Sequence, residues 1–162
     1  MREIVRQTYQ FRCGYCGVHE EDAGAILTID HYRPQSRLGS HTLENLVYCC
    51  PKCNAYKGSY WHEVDPPYIR LLHPRQDDLT AYMREETNGR VVGLTKEGVF
   101  FIQRLHLNRP SLIAYRLKRR TEQQLKDELR AVQEREQALL RRIEELDAAL
   151  RATTAQIQEE TS

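Results

Sequence analysis

The sequence predicts an α+β fold in three parts: a small cysteine-pinned core, a β-hairpin and helix extension, and a long C-terminal coiled-coil helix. Three observations carry this. Two Cys-x-x-Cys pairs, Cys13/Cys16 and Cys50/Cys53, enclose a stretch with its own strand-like run. Asn88-Gly89 separates two runs of extended character, the local signature of a hairpin. From Ser111 to Ser162 there is no Gly or Pro, and apolar residues recur at alternating spacings of four and three. The 162 residues therefore divide into 1–60, 61–110 and 111–162.

Composition narrows the function classes. Lys and Arg number 24 against 23 Asp and Glu, so the net charge of +1 gives no global footprint for nucleic acid, and any such surface must be local. No apolar run approaches the roughly 18 residues of a membrane span. The N-terminal Met1-Arg2-Glu3-Ile4-Val5 lacks the apolar core of a secretory signal. The expectation is a cytoplasmic protein. Of five cysteines, four form the two pairs, which in that setting favours metal over disulfides. Cys49, the one left over, reads as a buried small apolar residue.

In chain order, residues 2–10 read as a short helix with Ile4, Val5, Thr8 and Tyr9 on one face. Cys13-Gly14-Tyr15-Cys16-Gly17 is a knuckle, its glycines permitting a tight turn. Ala25-Ile26-Leu27-Thr28-Ile29-Asp30 is rich in β-formers and predicts a strand, and 34–40 a loop. Leu43, Leu46 and Val47 lead an apolar patch into the second knuckle. Residues 59–78 read as irregular, with Tyr68-Ile69-Arg70-Leu71-Leu72 as an edge strand. Leu79 to Glu86 predicts the first hairpin strand and Arg90 to Leu94 its partner across a two-residue turn. Thr95 caps a helix carrying Val99, Ile102, Leu105 and His106, and Pro110 suits the first turn of the next. That last helix carries a seam of Leu125, Leu129, Val132, Leu139, Ile143, Leu146, Leu150 and Ile157, broken by Glu136 and Thr153. At 1.5 Å per residue it is about 75 Å long, and its apolar stripe calls for a partner helix.

The x₂ spacing lets each cysteine pair grip one tetrahedral ion, so Cys13, Cys16, Cys50 and Cys53 predict a structural zinc. Four thiolates leave no open position, which makes this ion a clamp on the ends of the insert. Within that frame, Asp30-His31 ends the predicted strand and Asn54 follows the last thiolate. Closure of the clamp should bring Asp30, His31 and Asn54 near one another. A carboxylate and an amide oxygen are hard ligands suited to Mg²⁺ or Mn²⁺, and an adjacent neutral His can take a proton from water. The combination describes phosphodiester hydrolysis with one divalent ion. Lys57, one helical turn past Asn54, is a candidate phosphate contact, as are Arg33, Lys52 and Arg37, with Tyr56 available for stacking. His41, His62 and His73 are expected to be structural or exposed, and Tyr60 and Trp61 to pack against the knuckle.

Asp30-His31-Tyr32-Arg33-Pro34, Asn45-Leu46 and Cys50-Pro51-Lys52-Cys53-Asn54-Ala55-Tyr56-Lys57 together resemble the HNH endonuclease family over roughly residues 10–60. The resemblance implies a ββα-metal fold and metal-dependent cleavage of DNA, with RNA not excluded. It implies His31 as general base, Asp30 and Asn54 as ligands of the catalytic ion, and Asn45 as the brace that orients the His. The third motif residue is Asn54 rather than His, an H-N-N variant that leaves the preferred metal open. It also implies an effector of a restriction, antiphage-defence or mobile-element system; the heptad seam of 111–162 adds assembly as a homodimer or a hetero-complex. Leu107-Asn108-Arg109-Pro110 resembles an element downstream of such cores, with no role derivable from sequence. The alternative is a non-catalytic zinc-knuckle subunit that binds nucleic acid or recruits a partner through the coiled coil. A thiol-redox protein is disfavoured, because neither Cys pair lies in a βαβ context.

Overall fold

The computed structural model describes residues 1–160; positions 161 and 162 of the expected arm lie outside the described residues. The chain forms two compact units, Met1–Leu117 and a second from Lys118 onward. The fold is mixed, with helices, two small antiparallel sheets among the described residues and one long C-terminal helix.

The first unit opens with α1 (Arg2–Thr8) and α2 (Glu20–Ala23) on either side of the first knuckle. Of the expected α1 face, Val5 is buried and Tyr9 half-buried, while Ile4 and Thr8 face solvent. The helix ends at Thr8, and Gln10 and Phe11 adopt positive φ to turn the chain into the knuckle. Arg6 of α1 pairs with Glu20 of α2, and Glu20 also accepts from the Tyr48 hydroxyl at 2.7 Å.

β1 (Thr28–His31) pairs antiparallel with β2 (Leu46–Cys49), setting Thr28 opposite Cys49 and His31 opposite Leu46. The strand is shorter than the β-rich run suggests. Its partner ends at Cys49, because Cys50 caps α3 (Pro51–Lys57), so residues before Thr28 have no ladder to join. Pro51 fits the first turn of α3, where an amide N–H would be unsatisfied anyway. β1, β2 and α3 together make a ββα unit.

Residues 59–78 are irregular, but 68–72 is not a strand. Leu71 and Leu72 are buried, and side chains satisfy this backbone instead of a ladder: the Tyr60 hydroxyl donates to Ile69 O and the Tyr32 hydroxyl to Leu71 O. Leu79–Glu86 also differs from one strand. Asp78 accepts from Thr80 N and starts one helical turn, α4 (Leu79–Tyr82), before β3 (Met83–Glu85). β3 pairs with β4 (Val91–Gly93). The turn is one residue longer than the two-residue expectation, since Glu86 N donates to Arg90 O across 87–89. Gly89 supplies the left-handed position at φ +77°, and a Cβ there would meet Ile113 O at 2.9 Å.

Thr95 caps α5 (Lys96–Arg104), its hydroxyl accepting from Gly98 N at 3.1 Å. The buried face is Gly98, Phe101 and Ile102 with Leu105 beyond; Val99 and His106 point outward. Phe101, Leu105, Leu107 and Leu112 join Val5, Leu46 and Val47 in one hydrophobic cluster. The extension and the cysteine-pinned core therefore share a core.

α6 (Pro110–Glu160) begins at Pro110. In the second unit the seam residues Leu125 to Ile157 are each 53–66 % exposed, and Arg130–Asp127 and Arg142–Glu145 ion pairs at 2.9 Å line the helix. Among the described residues, no helix is long and apolar enough to cross a membrane.

Candidate functional site

The first knuckle supplies Cys13 and Cys16 from a turn closed by Cys13 N to Val18 O and Gly17 N to Cys13 O. Gly14 N donates to Tyr48 O at 2.8 Å, which ties that turn to β2 and so to the second pair. Cys50 caps α3 and accepts from Cys53 N. The four sulfurs all lie within 4.8 Å of one another, none in a disulfide, with Cys16 and Cys50 at 3.8 Å. An ion with Zn–S bonds of ~2.3 Å requires S–S edges of about 3.8 Å, so the set fits zinc.

The Asp30-His31 pair is split by strand geometry, because adjacent side chains on β1 leave opposite faces. Asp30 turns inward and is 7 % exposed. The Tyr15 hydroxyl donates to Oδ2 at 2.6 Å, and Lys57 Nζ lies 3.1 Å from Oδ1 and 3.0 Å from Oδ2. Burial raises the Asp30 pKa, and the Lys57 charge opposes that rise. Lys57 also donates to His31 O at 2.7 Å. It is fully buried, which corrects its expected position as an outward phosphate contact. The helical spacing did place Lys57 on the face of α3 shared with Asn54, but that face looks inward, and the long aliphatic stem carries the ammonium to Asp30. The Asp30 carboxylate suits a hard cation by type, but both its oxygens are already engaged, by Lys57 and Tyr15.

His31 is half-buried, with Nε2 3.0 Å from Nδ1 of His41. Burial first, and then the neighbouring His41, lower its pKa and favour the neutral imidazole. Asn45 braces the 33–45 loop from within: Oδ1 accepts from Arg33 N at 2.8 Å, and Nδ2 donates to Arg33 O at 3.0 Å and Ser40 O at 2.7 Å. The same loop folds back at Gly39, where a Cβ would collide with Arg33 O at 1.8 Å. That fold carries His41 to His31.

Asn54 is half-buried one turn before Lys57, and no hydrogen bond joins its side chain to Asp30 or His31 among the described residues. Lys52 is exposed. Arg33 lies over the Trp61 ring at 5.1 Å with Nε on Arg37 O, and Arg37 pairs with Asp65 at 2.7 Å. Tyr56 is stacked on His106 at 4.3 Å, which occupies the ring face expected to receive a base. Trp61 packs edge-on to Tyr32 rather than on the knuckle, and His62 stacks on Trp61. His73 is buried, with Nε2 3.1 Å from Glu44 O. Cys49 is buried and apart from the four clustered sulfurs.

Sequence reasoning missed Tyr15, His41 and Arg109. Tyr15 carried a signal, as the polar aromatic inside a knuckle. His41 and Arg109 reach their partners only through loop closure and distant packing.

Residues 13–59 match the family model for HNH endonuclease. The match spans both cysteine pairs, β1, β2 and α3, and supports a nuclease or nucleic-acid-interacting role in general. No curated protein and no solved structure matches the chain.

Proposed function

We propose that residues 13–59 are the catalytic core of a metal-dependent endonuclease that hydrolyses phosphodiester bonds in DNA. The observation that supports it best is the pairing of a zinc-compatible staple with a separate Asp30-His31 element braced by Asn45, inside an HNH match. His31 is the general base. In the tautomer where His31 Nε2–H donates to His41 Nδ1, the His31 Nδ1 lone pair is the one that takes a proton from the attacking water. Asn45 fixes the backbone on which this geometry rests. Asp30 and Asn54 would hold Mg²⁺ or Mn²⁺, which when bound supplies charge stabilisation at the phosphate. An ion there would require Lys57 to yield the Asp30 oxygens, while its bond to His31 O needs no change. Lys52 and Arg33 serve as contacts to the phosphate backbone.

The seam of α6 serves assembly, with a second copy or a partner protein, and 111–162 acts as its arm. The net charge of +1 supports a partner that chooses the target, since unaided DNA binding draws on more basic surface. A cytoplasmic effector of a restriction, antiphage-defence or mobile-element system fits these features. The enclosure of Asp30 by Tyr15 and Lys57 favours one alternative, a non-catalytic zinc-knuckle scaffold. Incubation of the full chain with supercoiled plasmid and Mg²⁺ or Mn²⁺ separates the two. Conversion to relaxed or linear DNA supports the nuclease, and relaxed against linear product reports nicking or paired cutting. Unchanged plasmid with both ions supports the scaffold.

A further inference from the structure

The turn from Leu107 to Pro110 is unexplained by the nuclease reading, and its Arg109 reaches three of the four sulfurs. Nη2 of Arg109 is 3.9 Å from Cys16 Sγ, 3.8 Å from Cys50 Sγ and 3.7 Å from Cys53 Sγ. Nη1 is held by Leu105 O at 3.1 Å and His106 O at 3.3 Å. The Tyr56 ring lies 5.7 Å beneath the guanidinium. The charge is thus aimed by two carbonyls and an aromatic face.

Electrostatics says why such a group belongs here. Zinc with four thiolates carries two net negative charges. Cys13, Cys50 and Cys53 are buried, so solvent does little to stabilise that charge. The N-terminus of α3 offsets part of it, through Cys53 N on Cys50 Sγ. A full positive charge with N–H groups directed at three of the four sulfurs offsets more. The planar guanidinium reaches sulfurs and carbonyls together, which a single ammonium cannot do.

The neighbours extend the connection. Leu107 is buried in the core. The Asn108 side chain behaves as a strand edge, accepting from Val91 N at 2.7 Å and donating to Val91 O at 2.8 Å. Arg116 donates to Gly89 O at 3.0 Å and Leu107 O at 2.8 Å. One short turn therefore touches both the sulfur cluster and the β3–β4 hairpin.

We infer that Arg109 is the outer-sphere cation of the zinc staple, and that the turn bearing it fastens the hairpin to the staple. Zinc occupancy and hairpin docking are then coupled. Arg109 is a positioning residue for the staple and takes no part in cleavage.

The test uses the full zinc-loaded chain and a chromophoric chelator in excess, with zinc release followed against time. Outer-sphere partners of bound metals contribute about 10–100-fold to affinity. Arg109→Met should release zinc about 10–100-fold faster than wild type, and Arg109→Lys should fall between. Hydrogen exchange on the zinc-loaded chains supplies a second readout: Arg109→Met should speed exchange at the Val91 amide together with the amides of 105–109, while the β1–β2 amides keep their protection. Arg109→Met releasing zinc at the wild-type rate would overturn the inference. So would a zinc-loaded Arg109→Met in which Val91 is as protected as in wild type. A wild-type chain that holds no zinc would overturn the staple itself, a distinguishable result.

Discussion

The zinc-compatible cluster and the Asp30-His31 site occupy the same 13–59 segment, yet they are built on opposite plans. The cluster converges: a tight turn and the N-terminus of α3 bring four like side chains within 4.8 Å, closed off by Arg109. The Asp30-His31 site diverges: a strand sends neighbouring side chains to opposite faces, one into the Lys57 and Tyr15 cage and one toward His41. Convergence consumes every coordination position and yields stability. Divergence leaves the His31 ring half-buried beside His41 and the Asp30 carboxylate enclosed by Lys57 and Tyr15. The difference predicts that damage to the cluster unfolds the unit, whereas damage to the other site divides by face: inward, at Asp30 and Lys57, it costs stability, and outward, at His31, it changes chemistry.

Removing zinc should have the largest effect. In a small metal-stapled unit, the binding energy is folding energy. Chelation, or Cys53→Ser, should cost the first unit its cooperative thermal transition, while helical circular dichroism from 118 onward persists in part. A sharp transition of unchanged midpoint in the metal-free chain would break the comparison.

Next comes Lys57→Met, which leaves Asp30 buried without its counter-charge. Breaking one side of a buried pair costs about 3–5 kcal/mol. Asp30→Asn combined with Lys57→Met removes both charges and should recover most of that loss in denaturant unfolding. Additive losses would show that the two residues do not act as a pair.

Asn45→Ala should come third. Three hydrogen bonds to backbone disappear, and the loss should be on the order of 2 kcal/mol, concentrated in the 33–45 loop. Hydrogen exchange should report it at the amide of Arg33 with little change around the cysteines. Equal deprotection at both places would mean the two regions are not separate.

The smallest effect concerns acid. The Arg6 guanidinium, with Tyr48 second, holds Glu20 from its ordinary 4.5 down to about 2. A depressed carboxylate stabilises above its unfolded value and loses that contribution as pH falls through its folded value. Wild type should therefore lose stability between about pH 4.5 and 2 more steeply than Glu20→Gln. Parallel curves would remove this ion pair from the account.

The parts legible in the sequence are those whose causes are local. Thr95 caps its helix with its own hydroxyl, Pro110 opens α6, and the cysteine pairs meet because one is a tight turn tied to β2 and the other starts the helix that follows β2. The heptad spacing gave the long helix directly. Harder to read were residues whose partners are chosen by tertiary packing. Leu71 and Leu72 look like a strand because they are apolar, yet side-chain hydroxyls took the backbone groups a ladder would have used. Lys57 reads as surface by type, and only the inward turn of α3 buries it. His41 and Arg109 lie 10 and 56 residues from His31 and Cys53, distances that no local pattern bridges.

The central claim is that the cysteines hold the fold while His31 performs the chemistry. The most direct measurement compares wild type with His31→Ala for bound zinc and for plasmid cleavage in Mg²⁺. Zinc content should be the same in both, with cleavage by the variant slower by about 10²–10⁴-fold. Cleavage by the zinc-loaded variant at the wild-type rate would contradict it.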